Sequence, residues 1–120
     1  MELIHHLALA AEYQSAPADQ PYLPASFAAD GFIHCTQARS VLREVANRFY
    51  RDIPGDFVVL DLDVRRLQSE VRFEAPVPPA EPGSPMAGVK FPHIYGPINR
   101  EAIVAVRPAR RGPDGGFLSV

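Results

Sequence analysis

Lys90-Phe-Pro-His-Ile-Tyr-Gly-Pro-Ile-Asn99 is the stretch from which the rest of the chain is read. Its two prolines each fix their own φ and push the residue before them toward extended geometry, so the segment is a stiff, strand-like ribbon. On a strand, residues two apart share a face, which sets Phe91, His93 and Tyr95 on one side and Ile94 on the other. An imidazole held beside a phenol at fixed spacing is the wall of a site more than a layer of core.

On the N-terminal side of the ribbon, Pro76 to Val89 carries five prolines and two glycines and can be neither helix nor inner strand. It is expected as a surface loop of the kind that caps a site. Val71 to Ala75 alternates as a strand with Arg72 and Glu74 turned away from the core. Phe57 to Val64 is a longer strand, with Val58, Leu60, Leu62 and Val64 on one side and Phe57, Val59, Asp61 and Asp63 on the other; the two aspartates are expected to mark an exposed end. Gln37 to Tyr50 has apolar residues at helical spacing and is expected to bury Val41, Leu42, Val45 and Phe49, with Thr36 as its cap.

Gly31-Phe-Ile-His-Cys-Thr36 reads as a strand with Phe32, His34 and Thr36 on one face and Ile33 and Cys35 on the other. Cys35 is expected as a small buried hydrophobe. Glu2 to Ala8 is a first strand that sends His5 and His6 to opposite faces, followed by a short helix over Leu9 to Ser15. Residues 17–30 form a proline-punctuated connection packed down by Tyr22 and Phe27. Beyond the ribbon, Ala102 to Val106 is a last strand and Pro108 to Val120 a loosely held tail. The expected organisation is one α+β domain over residues 1–107, with helices against a mostly antiparallel sheet, and a tail over 108–120.

At 120 residues the chain is long enough for one core and short for two. A formal net charge of -2 gives no global basic field, so nucleic acid is not an expected partner. One cysteine excludes an intramolecular disulfide framework, and the N-terminus has neither a basic n-region nor a long apolar stretch. Cytoplasmic residence is the expectation. No apolar run reaches the eighteen or so residues of a spanning helix, so no membrane association is expected.

Gly31-Phe-Ile-His-Cys-Thr36, Val45-Ala-Asn-Arg-Phe-Tyr50, Val58-Val-Leu-Asp-Leu-Asp63 and Phe91-Pro-His-Ile-Tyr-Gly-Pro-Ile-Asn99 together resemble the small bacterial domains grouped as DUF952. The resemblance runs from Leu3 to Val106. It implies a fold similar to the ADP-ribosyltransferases, compact split-sheet domains that hold NAD in a cleft. First strands of this family commonly read Ile-Tyr-His-Ile, which sets His6 at the matching position and His5 where tyrosine is usual. The glutamate that those transferases use to orient the ribose hydroxyl has no matching motif, and Glu74 is the stand-in the sequence offers.

The candidate site follows from both lines. His34 and His93 are the acid/base candidates, since imidazoles titrate near neutrality. His6, Phe32, Thr36, Tyr95 and Arg39 are the ligand-binding candidates; the aromatics offer stacking surface, and Arg39, with Arg43, lies near the start of the long helix where a phosphate is favoured. The expected ligand is a small nucleotide such as NAD. The alternatives are a cofactor-free enzyme using His34 and His93 for proton transfer, and a non-catalytic binding module with a vestigial cleft. His6, His34 and His93 could supply three imidazoles to zinc, but no His-x-x-x-His or Cys-x-x-Cys pair accompanies them, so no metal is expected.

Overall fold

The computed structural model describes residues 1–120. Its central strand is β3 (Phe57–Asp63), buried along its whole length. It is flanked antiparallel by β1 (Leu3–Leu9) and β6 (Ile103–Pro108). Val58, Leu60 and Leu62 meet Ile4 and Ala8 in one core, while Phe57 and Val59 meet Leu7 in a second. A strand covered on both faces needs apolar side chains on both, hence the near-continuous hydrophobic run.

A second antiparallel sheet centres on β5 (Phe91–Ile94), between β2 (Ile33–His34) and β4 (Val71–Glu74). Ile33, Ile94 and Val71 align across its three strands and face the first core. One position along, His34, His93 and Arg72 align across the same strands on the opposite face. The apolar requirement of one face thereby fixes the polar set of the other, because a slip of one residue would exchange them. The two sheets meet beyond His34, where Thr36 exchanges backbone hydrogen bonds of 2.8 Å with His5.

The helices are α1 (Ala10–Ser15), α2 (Phe27–Asp30) and α3 (Arg39–Phe49). Helix α3 presses Leu42 and Ala46 into the second core. Val41 and Val45 are only half-buried, and Phe49 is 41% exposed. Val45 and Phe49 line a cavity, so part of the apolar stripe serves a void and not the core. Thr36 does not cap α3; Ala38 holds that position and makes no side-chain cap, because Thr36 belongs to the sheet junction.

Two expectations are corrected by contacts made across the fold. Asp61 and Asp63 are buried. Asp61 accepts hydrogen bonds from His5 Nδ1 at 2.7 Å and from Arg107 Nε and Nη2 at 2.7 and 2.9 Å. Asp63 accepts from the Arg65 amide at 3.0 Å and so caps the short turn that ends β3. Partnered in this way, a carboxylate can leave water.

The second correction concerns residues 108–120, which form a hairpin of β7 (Arg110–Arg111) and β8 (Phe117–Ser119) packed on α3. Phe117 is 1% exposed and completes the second core. The Arg111 guanidinium lies over the Phe57 and Phe117 rings and donates to the carbonyls of Arg51, Ile53 and Gly55, the chain leaving α3. Cations are favoured where a helix leaves its last carbonyls unpaired. Gly115, at φ 86°, turns the hairpin where any Cβ would strike the Arg51 carbonyl. The expected loose tail is thus an ordered part of the same domain.

Candidate functional site

A cavity of about 520 Å³ lies between the polar face of the small sheet, α3 and the loop of residues 76–89. Phe32, His34, Phe91 and His93 form its floor. Val45, Phe49 and Tyr50 supply one wall, and Pro76, Val77 and Met86 the cover. Arg48 is its sole guanidinium, and that group is ion-paired with Glu81 of the loop at 2.8 Å. The lining is mainly apolar and aromatic with a few polar groups, the usual make-up of a small-molecule pocket.

His34 and His93 face each other across β2 and β5 with ring centroids 5.7 Å apart. Phe32 stacks on His93 at 4.1 Å and lies 4.7 Å from His34, so the rings hold one another in place. His93 Nδ1 is 2.9 Å from Glu74 Oε1. A carboxylate can only accept, so Nδ1 carries a proton, and in its neutral form the ring keeps its lone pair at Nε2. The Tyr95 hydroxyl donates to the same carboxylate oxygen, and the Arg72 guanidinium lies 4.5 Å over the Tyr95 ring. These hydrogen bonds, Tyr95 first and His93 second, hold Glu74 below the usual carboxylate range, leaving it ionised at neutral pH.

His34 has its own carboxylate, with Nε2 3.1 Å from Asp30 Oδ2. Burial lowers the His34 pKa, and Asp30 opposes that shift without cancelling it. The pairing is local in origin: α2 ends at Gly31 in the left-handed region, φ 79°, and the reversal brings Asp30 back against the imidazole four residues on.

The sequence candidates fall into three groups. His34, His93 and Phe32 line the cavity. Tyr95 lies behind His93 and reaches the site through Glu74. His6 packs beneath β2, with Nδ1 2.7 Å from the His34 carbonyl oxygen; burial lowers its pKa, and its ring borders a second cavity of about 210 Å³. Thr36 and Arg39 line neither cavity. Thr36 is buried at the sheet junction, and Arg39 reaches the Val120 carbonyl at 3.4 Å because the C-terminal hairpin occupies that end of α3, as it does for Arg43. Cys35 is buried at the cavity's edge, and burial pushes its thiol pKa up.

Asp30, Arg48 and Met86 are lining residues that reading the sequence missed. For Asp30 a signal existed, an acid and a glycine four and three residues ahead of His34. For Met86 the signal was the proline-rich stretch 76–89, expected to cap a site; for Arg48 none existed. No set of three or more His, Cys, Asp or Glu side chains converges as a metal cage requires, and no helix is long and apolar enough to cross a membrane.

The sequence profile of the family described as "Protein of unknown function (DUF952)" matches residues 7–106. No curated protein matches the chain. Among solved structures, the crystal structure of protein CC0527 from Caulobacter crescentus is similar at 27% identity and a TM-score of 0.74, covering 96% of this chain and 92% of that one. A double mutant of CC0527 gives 26% and 0.74 over the same spans. Its solution NMR structure gives 26% and 0.69, over 98% and 91%.

Proposed function

The chain belongs to the DUF952 family, and we propose that it binds a compact, largely apolar ligand in the larger cavity and moves a proton on it with His93 and His34. The observation that carries this reading is the pairing of each imidazole with a separate carboxylate at the floor of one cavity. Glu74 orients His93 so that its lone-pair nitrogen is the one left without a protein partner, which is how a carboxylate prepares a histidine base. His34, paired with Asp30, stands across the strand gap as the second proton-handling group. Phe32 fixes the angle between the two rings and gives a planar ligand a surface to stack on.

A nucleotide, NAD in particular, is the second reading. The junction of two antiparallel sheets beside a cleft favours it, as does the aromatic floor. A pyrophosphate would meet one guanidinium there, Arg48, already paired with Glu81, so the nucleotide ranks below the compact ligand.

Calorimetric titration tests both readings, with NAD, ADP-ribose and a panel of neutral aromatic compounds applied to the wild type and to His34→Ala and His93→Ala. Binding of a neutral aromatic that both variants lose is the expected result. Variants that bind as the wild type does would remove the histidines from the site, and NAD binding lost in both would promote the second reading.

A further inference from the structure

The smaller cavity shares Asp30, His34 and Tyr50 with the larger one, so the two lie on either side of the His34–Asp30 pair. The chemistry of its lining is one-sided. His6 is 7% exposed and gives its Nδ1 proton to the His34 carbonyl, an acceptor by nature. The ring's other nitrogen has no protein partner, and in the neutral form it offers a lone pair toward the cavity. Glu12 adds a carboxylate whose Oε1 accepts from the Ala25 amide at 2.8 Å and from the Tyr22 hydroxyl at 3.5 Å and whose other oxygen has no donor. Asp30 adds a second carboxylate, and the Tyr22, Tyr50 and Phe57 rings complete the wall. No lysine or arginine lines this cavity. Arg100, whose guanidinium lies 6.0 Å from the Tyr22 centroid, donates instead to the carbonyls of Gln20 and Pro17.

From this aromatic, doubly acidic lining, which holds no lysine or arginine, we infer that the smaller cavity is a subsite for a protonated amine, and that the protein's ligand is an amine with an apolar body. The ammonium donates to Glu12, Asp30 and His6 Nε2 and lies against the aromatic rings, an arrangement that attracts cations and repels carboxylates. The apolar body occupies the larger cavity, with His34 at the junction. The inference rests on the larger cavity being the ligand's main seat, and it adds the charge that the ligand carries.

The test is an NMR titration of the whole protein at pH 7.5 with 3-phenylpropylamine, 3-phenylpropanol and 3-phenylpropanoate. The amine is expected to bind about tenfold or more tighter than the alcohol, the carboxylate to bind weakest, and the His6 side-chain nitrogen signals to move with the amine alone. Glu12→Gln, which keeps an acceptor for the Ala25 amide, is expected to remove the preference for the amine while leaving the alcohol's affinity within about twofold. Equal affinity for amine and alcohol in the wild type would overturn the amine subsite and leave the larger cavity's role standing. A preference that persists in Glu12→Gln, or tighter binding of the carboxylate, would also overturn it. Failure of all three to bind would overturn the larger cavity's role as well.

Discussion

His5 and His93 each hold a carboxylate oxygen through Nδ1, at 2.7 Å to Asp61 and 2.9 Å to Glu74. The first pair lies in the large sheet, where Arg107 grips both oxygens of Asp61 and the imidazole borders neither cavity. The second lies in the small sheet, where Glu74 accepts from a phenol and a histidine with the Arg72 guanidinium beyond the Tyr95 ring, and the imidazole, buried beneath Phe32, lines a cavity of about 520 Å³. A histidine beside a carboxylate is therefore not in itself a site. Where a guanidinium grips both oxygens of the acid and no cavity adjoins the ring, the pair fastens strands; where no guanidinium bonds the acid and a void adjoins the ring, the pair can act on a ligand.

Breaking the fastening pair has the largest expected effect. Asp61→Asn leaves Arg107 without its counter-charge and the buried His5 without a carboxylate acceptor, and is expected to lower stability by about 3 kcal/mol in chemical denaturation, with ligand affinity unchanged. Glu74→Ala tests the other pair: it leaves the buried His93 Nδ1–H and the Tyr95 hydroxyl without their acceptor and is expected to lower stability by about 1–2 kcal/mol, less than Asp61→Asn, while a ligand bound through His93 weakens about tenfold in calorimetry.

Acid should separate the two regions by pH. Burial lowers the pKa of His6 and His34 below their ordinary 6.5, so below that pH the unfolded chain takes up protons the folded chain refuses. Stability then falls between pH 7 and 5, with His6 the main contributor at up to about 1.4 kcal/mol per pH unit. Burial acts to raise the Asp61 pKa, but hydrogen bonds from Arg107 and His5 outweigh it and leave the value lowered, so that contribution is kept until the pH falls below 3.8. Melting temperatures across pH for the wild type and His6→Gln check the order, the variant showing the shallower fall above pH 5. Arg48→Ala, which frees the loop from Glu81 at an exposed ion pair, is the mildest change: stability stays within about 0.5 kcal/mol, and a faster ligand off-rate is the expected sign.

Strand parity made the histidine face legible before any coordinates, because Phe32 with His34 and His93 with Tyr95 must each share a side. That His34, His93 and Tyr95 share one cleft was expected from that parity, but the β2–β5 register that brings the two histidines face to face was not legible, since the pairing of strands some sixty residues apart leaves no local mark. The same blindness covers Asp61, whose partners His5 and Arg107 lie 56 and 46 residues away; an aspartate alternating with leucines looks wet until they are known. Val45 and Phe49 fail for another reason, since an apolar residue facing a void has the same sequence pattern as one facing a core. Residues 108–120 were misread because glycine, proline and arginine are common to tails and to hairpins, and only Phe117 among them hinted at burial.

The hairpin that holds Arg111 over Phe57 and Phe117 also sets the order in which the molecule can be finished. A ribosome releases that hairpin after every element it packs on, so the Leu42, Ala46 and Phe57 surface waits uncovered while the histidine-bearing sheet already has all of its strands. The nascent chain thus assembles its cavity floor before its second core is sealed. Chains ending at residue 109 should accordingly bind a hydrophobic dye that the 120-residue chain excludes.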